Sequence, residues 1–362
     1  MSDKDKIVLE RIDKEIEKIS KKENKIYFYV IDTKGNPSGS LEYIYNLALL
    51  LKEDGWDCTM LYQEDDFVGV GDWLGEEYTN IPHENITKNV SVSPSDLLFI
   101  PELFYNIMAQ TVNLPCKRVV IMQNYDYVID QTPVSKQWGD FGIFDVISNT
   151  DYNANLITDV FPYLRVKTIK PFISNIFGET SEPKKMIVNI ISKHGEDINK
   201  IIKPFYWKFP IYKWVSFRDL RGFPKQKFAE LLRESAITIW VDEFSSFGYS
   251  ALEAMKSGNI VIAKMPKRGL EWAESKDNVF NDSCVWFDDF NETPEIIASV
   301  VRSWINEKVP TKIFDDAKEV LSKYSREETK KEICEYVNSI FEKRVKEMEE
   351  LKLNVKANSE KE

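Results

Sequence analysis

Ile237-Thr-Ile-Trp-Val-Asp-Glu-Phe-Ser-Ser-Phe-Gly-Tyr-Ser-Ala-Leu-Glu-Ala-Met-Lys-Ser-Gly-Asn-Ile-Val-Ile262 is the stretch on which the fold turns. An apolar, β-branched run at 237–241 leads into a Ser/Gly turn, and 249–257 reads as a short helix stopped by Gly258. A second apolar run follows at 259–263. Strand, tight turn, helix and strand in that order make one unit of a parallel sheet. In such sheets ligands collect beyond the strand ends, where loops meet helix N-termini. Gly248 stands near this helix start, so free backbone N–H groups and the helix dipole can receive a diphosphate. Glu253, just over a turn further on, can accept paired hydrogen bonds from a ribose diol. An ordinary helix start with a solvent-facing glutamate fits the same residues.

Working outward, strands are expected at 186–191, 211–217 and 285–287, with helices at 197–203 and 224–234. Together these form a domain over 185–320. Upstream, 175–185 is rich in Gly, Thr, Ser, Glu and Pro with little to bury, as linkers are. Before it, 25–31 reads as a buried strand, followed by the loop 32–40, a helix over 41–53 ended by Gly55, and a strand at 57–63. Further strands at 97–100, 118–122, 144–148 and 165–169, with helices at 103–111 and 152–160, complete a first domain over 22–172. Residues 1–21 place Ile7, Val8, Ile12, Ile16 and Ile19 on one side of an added amphipathic helix. Helices at 294–306 and 312–346 close the chain, the segment 321–350 being set apart as a C-terminal helical element and 351–362 as a frayed polar tail.

The chain has 362 residues, 43% of them hydrophobic, which is enough for two cores and rules out global disorder. No run approaches the roughly 18 apolar residues of a membrane span, and the start has no signal-peptide core, so the expected compartment is cytoplasmic. With 48 basic and 59 acidic residues, the net charge of −11 disfavours nucleic acid as a partner, although a local basic site can still take a phosphate. Four widely spaced cysteines and two histidines argue against a disulfide scaffold and a structural zinc site, and no metal site is expected.

Ser245-Ser-Phe-Gly-Tyr-Ser-Ala-Leu-Glu-Ala-Met-Lys-Ser-Gly-Asn-Ile-Val-Ile262 resembles the signature of retaining nucleotide-sugar glycosyltransferases of glycosyltransferase family 4. The resemblance implies an α/β chain of GT-B architecture, two Rossmann-like domains with parallel sheets facing a cleft, here with an extra N-terminal helix. The family signature carries two glutamates separated by seven residues; the second matches Glu253, which the resemblance assigns to the nucleotide ribose. Gly248 falls at the glycine beside the donor phosphates. The first glutamate is replaced by Ser245, with Glu243 two residues early. Either Glu243 takes over its contact with the donor sugar through an altered turn, or the sugar is held differently, or the chain is a non-catalytic relative.

Likeness to the family continues through 228–241 and through Asn189-Ile-Ile-Ser-Lys-His194, where Lys193 is the best match for the basic residue on the diphosphate. A second basic residue would come from Lys200 or Lys203. The donor set implied is Lys193, Ser245, Ser246, Phe247, Gly248, Tyr249, Glu253, Arg268 and Gly269, with Lys193, Gly248 and Glu243 nearest the chemistry. Donor nucleotides of UDP or GDP type are implied as co-substrates, with no tightly bound cofactor. Transfer would retain anomeric configuration, with the leaving phosphate oxygen helping to deprotonate the acceptor. In the first domain, Ser38, Gly39 and Ser40 after the first strand, Glu102 after the strand at 97–100, and Asn124, Tyr125 and Tyr127 after 118–122 are the acceptor-side candidates. His83, in a polar stretch, reads as a surface residue. The acceptor could be a glycan, a lipid-linked glycan, a protein, a small molecule or a modified base. A sugar-nucleotide epimerase and an inactive nucleotide- or glycan-binding protein are the alternatives. The basic stretch 200–213 and the N-terminal helix allow peripheral membrane contact, and the helix stripe allows self-association.

Overall fold

The computed structural model describes residues 3–88, 90–267, 269–274 and 279–359. They cluster into two units: one comprises residues up to Gly71, Glu76–Ile169 and those from Glu327 onward, the other Asp72–Gly75 and Lys170–Arg326.

In the first unit, α1 (Asp3–Ser20) precedes β1 (Lys25–Tyr29), α2 (Gly39–Glu53), β2 (Asp57–Tyr62) and β3 (His83–Asn85). Then come β4 (Leu97–Pro101), α3 (Tyr105–Gln110), β5 (Lys117–Met122), α4 (Tyr125–Gln131), β6 (Asp145–Ser148), α5 (Asp151–Val160) and β7 (Arg165–Thr168). The sheet runs β3-β2-β1-β4-β5-β6-β7, and every pairing is parallel. Central β4 is buried along its length while edge β7 alternates, as expected when helices cover the middle of a parallel sheet. The strand order reverses direction between β1 and β4, which places the loops after those strands at a switch point.

The second unit holds β8 (Lys185–Ser192), α6 (Gly195–Lys208), β9 (Ser216–Asp219), α7 (Lys225–Glu234), β10 (Ser235–Val241), α8 (Tyr249–Lys256) and β11 (Ile260–Lys264). It ends with β12 (Val285–Phe287), α9 (Thr293–Ile305) and α10 (Thr311–Leu321), and α11 (Arg326–Ser359) follows. Its parallel sheet runs β12-β11-β10-β8-β9, with β10 buried at every residue. The expected two parallel α/β sheets are therefore present.

Several elements differ from expectation, each for a physical reason. His83 lies in β3 and is half-buried, not a surface residue, because pairing with β2 draws it under Tyr45, whose hydroxyl is 2.8 Å from its Nε2. The strand expected at 211–217 forms later, at 216–219. A 3-10 turn at Pro210–Tyr212 takes its place, with Tyr212 stacked on buried Phe205. The stretch 175–185 does have something to bury: Phe177 is inaccessible to solvent in the core of the second unit. Lys184 there donates to the carbonyls of Arg233, Ser235 and Ser257, and burial lowers its ammonium to about 8. The single helix expected over 312–346 divides at 322–325, and α11 continues to Ser359 where a frayed tail was expected.

Within the first unit α11 buries Ile333, Val337 and Phe341, and the Phe341 ring stacks on Trp56 at 4.7 Å. The α1 helix buries Leu9, Ile12 and Ile19 and leaves Ile7 and Val8 exposed. Glu15 on its inner face accepts hydrogen bonds from the Ser95 hydroxyl and amide.

Candidate active site

The second unit builds its site at the strand ends of β8, β10 and β11. Val241 pairs with Ser192, so the residues that follow, Asp242 and Lys193, leave the sheet side by side; their charged groups meet at 2.8 Å. The turn 242–248 then carries the chain into α8. Gly248 starts that helix with φ +76°, a left-handed conformation that costs other residues about 1–2 kcal/mol. A β-carbon there would also stand 3.2 Å from the Trp272 ring and 3.3 Å from the Trp240 ring. Glycine is thus favoured on two counts. Trp272 further locks the turn by donating its indole N–H to the Phe247 carbonyl (2.6 Å).

Ser245, in the place of the first signature glutamate, is engaged locally: its Oγ accepts the Gly248 N–H at 2.9 Å. Glu243 is held by two cations, Lys267 at 3.1 Å and Lys264 at 3.6 Å, and its carbonyl accepts the Lys267 N–H. Ser246 and Tyr249 are half-buried, and Phe247 is buried edge-on to the Tyr249 ring at 4.6 Å. Gly269 is half-buried in the loop after β11; Arg268 lies outside the described residues.

Glu253 is not solvent-facing. It is 5% exposed, and its Oε1 accepts from Lys225 Nζ at 2.8 Å, making a buried ion pair between α8 and the first turn of α7. Lys225 is anchored in turn by its own N–H, which donates to the Trp73 carbonyl. Lys225 and Lys264 escaped the sequence reading. The available signals were local: Lys264 ends a strand, and Lys225 opens a helix directly after Pro224.

In the first unit, Ser38 caps α2 through an Oγ that accepts the Leu41 N–H, and Gly39 and Ser40 form the first turn. The Ser40 carbonyl accepts from Gln123 Nε2 at 3.3 Å. Glu102, the residue after β4, is 1% exposed. Its Oε1 accepts the N–H groups of Gln123 (3.1 Å) and Asn124 (2.7 Å), and its Oε2 is buried without a hydrogen-bond partner among the described residues. Burial pushes this carboxyl up to about 7, and the backbone donors only partly offset it. Near neutrality such a group can hold or accept a proton. Asn124 caps α4 through its side chain, Tyr125 is half-buried against the core, and Tyr127 is exposed. The structure thus ties Glu102 to Asn124 directly and to Ser40 through Gln123, while Tyr127 joins only by its backbone N–H, which donates to the Asn124 carbonyl, its ring being exposed. Among the described residues no cluster of His, Cys, Asp and Glu is arranged to hold a metal ion.

No protein-family profile matches the chain. An alpha-1,6-glucosyltransferase of Actinobacillus pleuropneumoniae serotype 7 (strain AP76) is 19% identical over 273 residues, covering 73% of this chain and 81% of that protein. Among solved structures, Anabaena HepE in complex with UDP superposes with a TM-score of 0.60 at 14% identity, covering 87% of this chain and 100% of that one. A sucrose-phosphate synthase from Thermosynechococcus elongatus gives 0.61 at 10% identity, with 88% and 99% covered. The pneumococcal O-GlcNAc transferase GtfA, in complex with UDP and GlcNAc, gives 0.58 at 10%, with 89% and 99% covered. The fold of the chain is therefore that of the GT-B glycosyltransferases.

Proposed function

We propose that the chain is a glycosyltransferase that moves a sugar from a nucleoside diphosphate donor, UDP-linked, to a hydroxyl acceptor. The observation that carries this reading is the β10–α8 turn. It combines a helix start whose left-handed backbone and close Trp272 ring favour glycine with Lys193, Lys264 and Lys267 at the same strand edge. Such a turn suits a diphosphate, which gains from both the helix N-terminus and the ammonium groups. The likeness to an α-1,6-glucosyltransferase and to GT-B proteins solved with UDP supports the same donor class.

In this reading Lys193 and the N–H groups after Gly248 take the charge that builds on the leaving diphosphate. Glu253, with its Lys225 partner, serves the ribose. Transfer proceeds with retention, as in glycosyltransferase family 4, the leaving phosphate oxygen assisting removal of the acceptor proton. Ser245 cannot supply a carboxylate, so Glu243 reaches the donor sugar only if it exchanges its lysine partners. Ser38, Gly39, Ser40, Glu102, Asn124, Tyr125 and Tyr127 belong to the acceptor side. Glu102, half-protonated near neutrality, can accept a hydrogen bond from a hydroxyl or donate one to it.

The test is calorimetric titration of UDP, GDP, ADP and CMP, with Glu253→Ala as control, followed by turnover of UDP-glucose with the anomeric product read by NMR. UDP binding lost in the variant, with an α-linked product, is the expected result. Absence of any nucleotide binding overturns the donor site. Binding without acceptor-dependent turnover favours a binding protein of the same fold.

A further inference from the structure

Outside the strand-end sites, the most unusual surface is the end of α6 and the turn after it. From 198 to 218 the chain carries Lys200, Lys203, Lys208, Lys213 and Arg218 and no acidic residue, within a protein of net charge −11. The same segment exposes large apolar side chains: Trp207 and Ile211 are each 77% exposed and Trp214 is 53% exposed. A single exposed apolar residue is ordinary; three within eight positions, flanked by lysines, form a patch that marks an interaction surface.

The backing of this patch is rigid. Ile201 and Phe205, on the opposite face of α6, are wholly buried. Phe205 meets Tyr212 in a stack at 6.0 Å and Phe217 edge-on at 5.4 Å, and the Tyr206 hydroxyl donates to the Val215 carbonyl. The backbone that carries Trp207, Ile211 and Trp214 is therefore fixed by a packed aromatic layer, and their side chains project outward. Docking therefore has to order side chains alone and not the backbone beneath them. Some of the cations are already engaged: Lys208 pairs with Glu295 of α9 at 2.7 Å, Lys200 with Asp197, and Arg218 with Glu234. Lys203 and Lys213 are exposed and make no ion pair among the described residues.

From this combination we infer that the α6 end is a docking surface for an anionic lipid bilayer. Indole rings sit at the headgroup level with the apolar body inward, an aliphatic side chain enters the acyl boundary, and ammonium groups meet lipid phosphates. Two rival occupants fit less well. A nucleic acid would use the lysines and could stack on Trp207, but Ile211 offers it nothing. Protein interfaces are depleted in lysine around their aromatic anchors. Because α6 runs back from the end of β8 and β9 starts directly after the patch, the docked face lies at the strand-start edge of the second sheet. The β10–α8 turn is at the other edge, so docking leaves it open. The N-terminal helix is the weaker candidate, since α1 turns Leu9, Ile12 and Ile19 inward.

The experiment is co-sedimentation of the full-length protein with vesicles of phosphatidylcholine alone or of equal parts phosphatidylcholine and phosphatidylglycerol. Binding is expected to the anionic vesicles and to weaken as salt is raised. The triple variant Trp207→Ser, Ile211→Ser, Trp214→Ser should partition at least about tenfold more weakly. Lys203→Glu with Lys213→Glu should also bind more weakly, while Ile7→Ser with Val8→Ser should bind like the parent. All these residues are exposed, so unchanged thermal melting will show that the variants are folded. Brominated lipids should quench fluorescence of the parent and not of the triple variant. Failure of the parent to bind anionic vesicles, equal binding to neutral ones, or undiminished binding by the triple variant would each overturn the inference.

Discussion

Glu102 in the first unit and Glu253 in the second are both buried near a strand end, and the two are stabilised in opposite ways. Glu253 in the second unit is charged against a buried ammonium, Lys225, that crosses from the neighbouring helix. Glu102 in the first unit leans on backbone N–H donors, those of Gln123 and Asn124 among them, with no cation paired to it among the described residues, and burial raises its carboxyl to about 7. The same side chain in the same kind of fold thus faces an ammonium in one place and titrates near neutrality in the other. A fixed charge orients; a titrating one can exchange a proton. That division suits a protein whose proposed donor side must hold a nucleotide still while its acceptor side meets a hydroxyl.

The largest expected effect comes from breaking the ion pair. Lys225→Met leaves the Glu253 carboxylate buried without this ammonium and should cost about 3–5 kcal/mol of stability in urea denaturation. Adding Glu253→Gln should recover much of the loss. A cost under about 1 kcal/mol would mean that the two carboxylates are stabilised alike.

Glu102→Gln tests the other half. The carboxyl is ordinarily near 4.5 and stands at about 7 here, so between those values the folded protein holds a proton that the unfolded chain has released. Stability therefore falls as pH rises through that window, by about 3 kcal/mol in all, and is level above it. The glutamine variant lacks this term while keeping an oxygen for the Gln123 and Asn124 amides. Its advantage over the parent should grow from pH 4.5 to pH 7.5 in denaturant titrations. A constant difference would mean that Glu102 does not titrate in this window.

Smaller again is Gly248→Ala, expected to lower stability by about 2 kcal/mol through the left-handed backbone and the close Trp272 ring. Calorimetry should also show weaker UDP binding, whereas glycine replacement in an ordinary turn would change stability alone. The smallest is Tyr45→Phe, which removes the hydroxyl beside His83 Nε2 at a cost of about 1 kcal/mol. Burial holds the His83 imidazole below its usual range, so its neutral form stabilises the fold above the ordinary 6.5 and that contribution is lost as pH falls. With two histidines in the chain, proton NMR can follow this titration directly.

Much of this arrangement was legible from residue order. The strands around Gly248, its place at the start of a helix, and the position of Glu102 directly after β4 all follow from local pattern. His83 was misread because β3 is three residues long and mostly polar, so pairing with β2 is the only thing that makes it a strand. Residues 175–185 were misread because one buried ring, Phe177, is invisible to a compositional average. Arg268 belongs to neither account, lying outside the described residues.

What the sequence determined by itself is the succession of strands and helices, since apolar periodicity and glycine stops are properties of neighbours along the chain. It also determined that a glycine stands at a helix start and the charge contrast between 198–218 and the rest. Only the tertiary structure decided that Glu253 has Lys225 beside it, 28 positions away, and that Glu102 has no such partner among the described residues. The physical reason is that a carboxylate's state depends on the charges and water within a few ångströms. Those neighbours come from other helices and strands, brought there by packing.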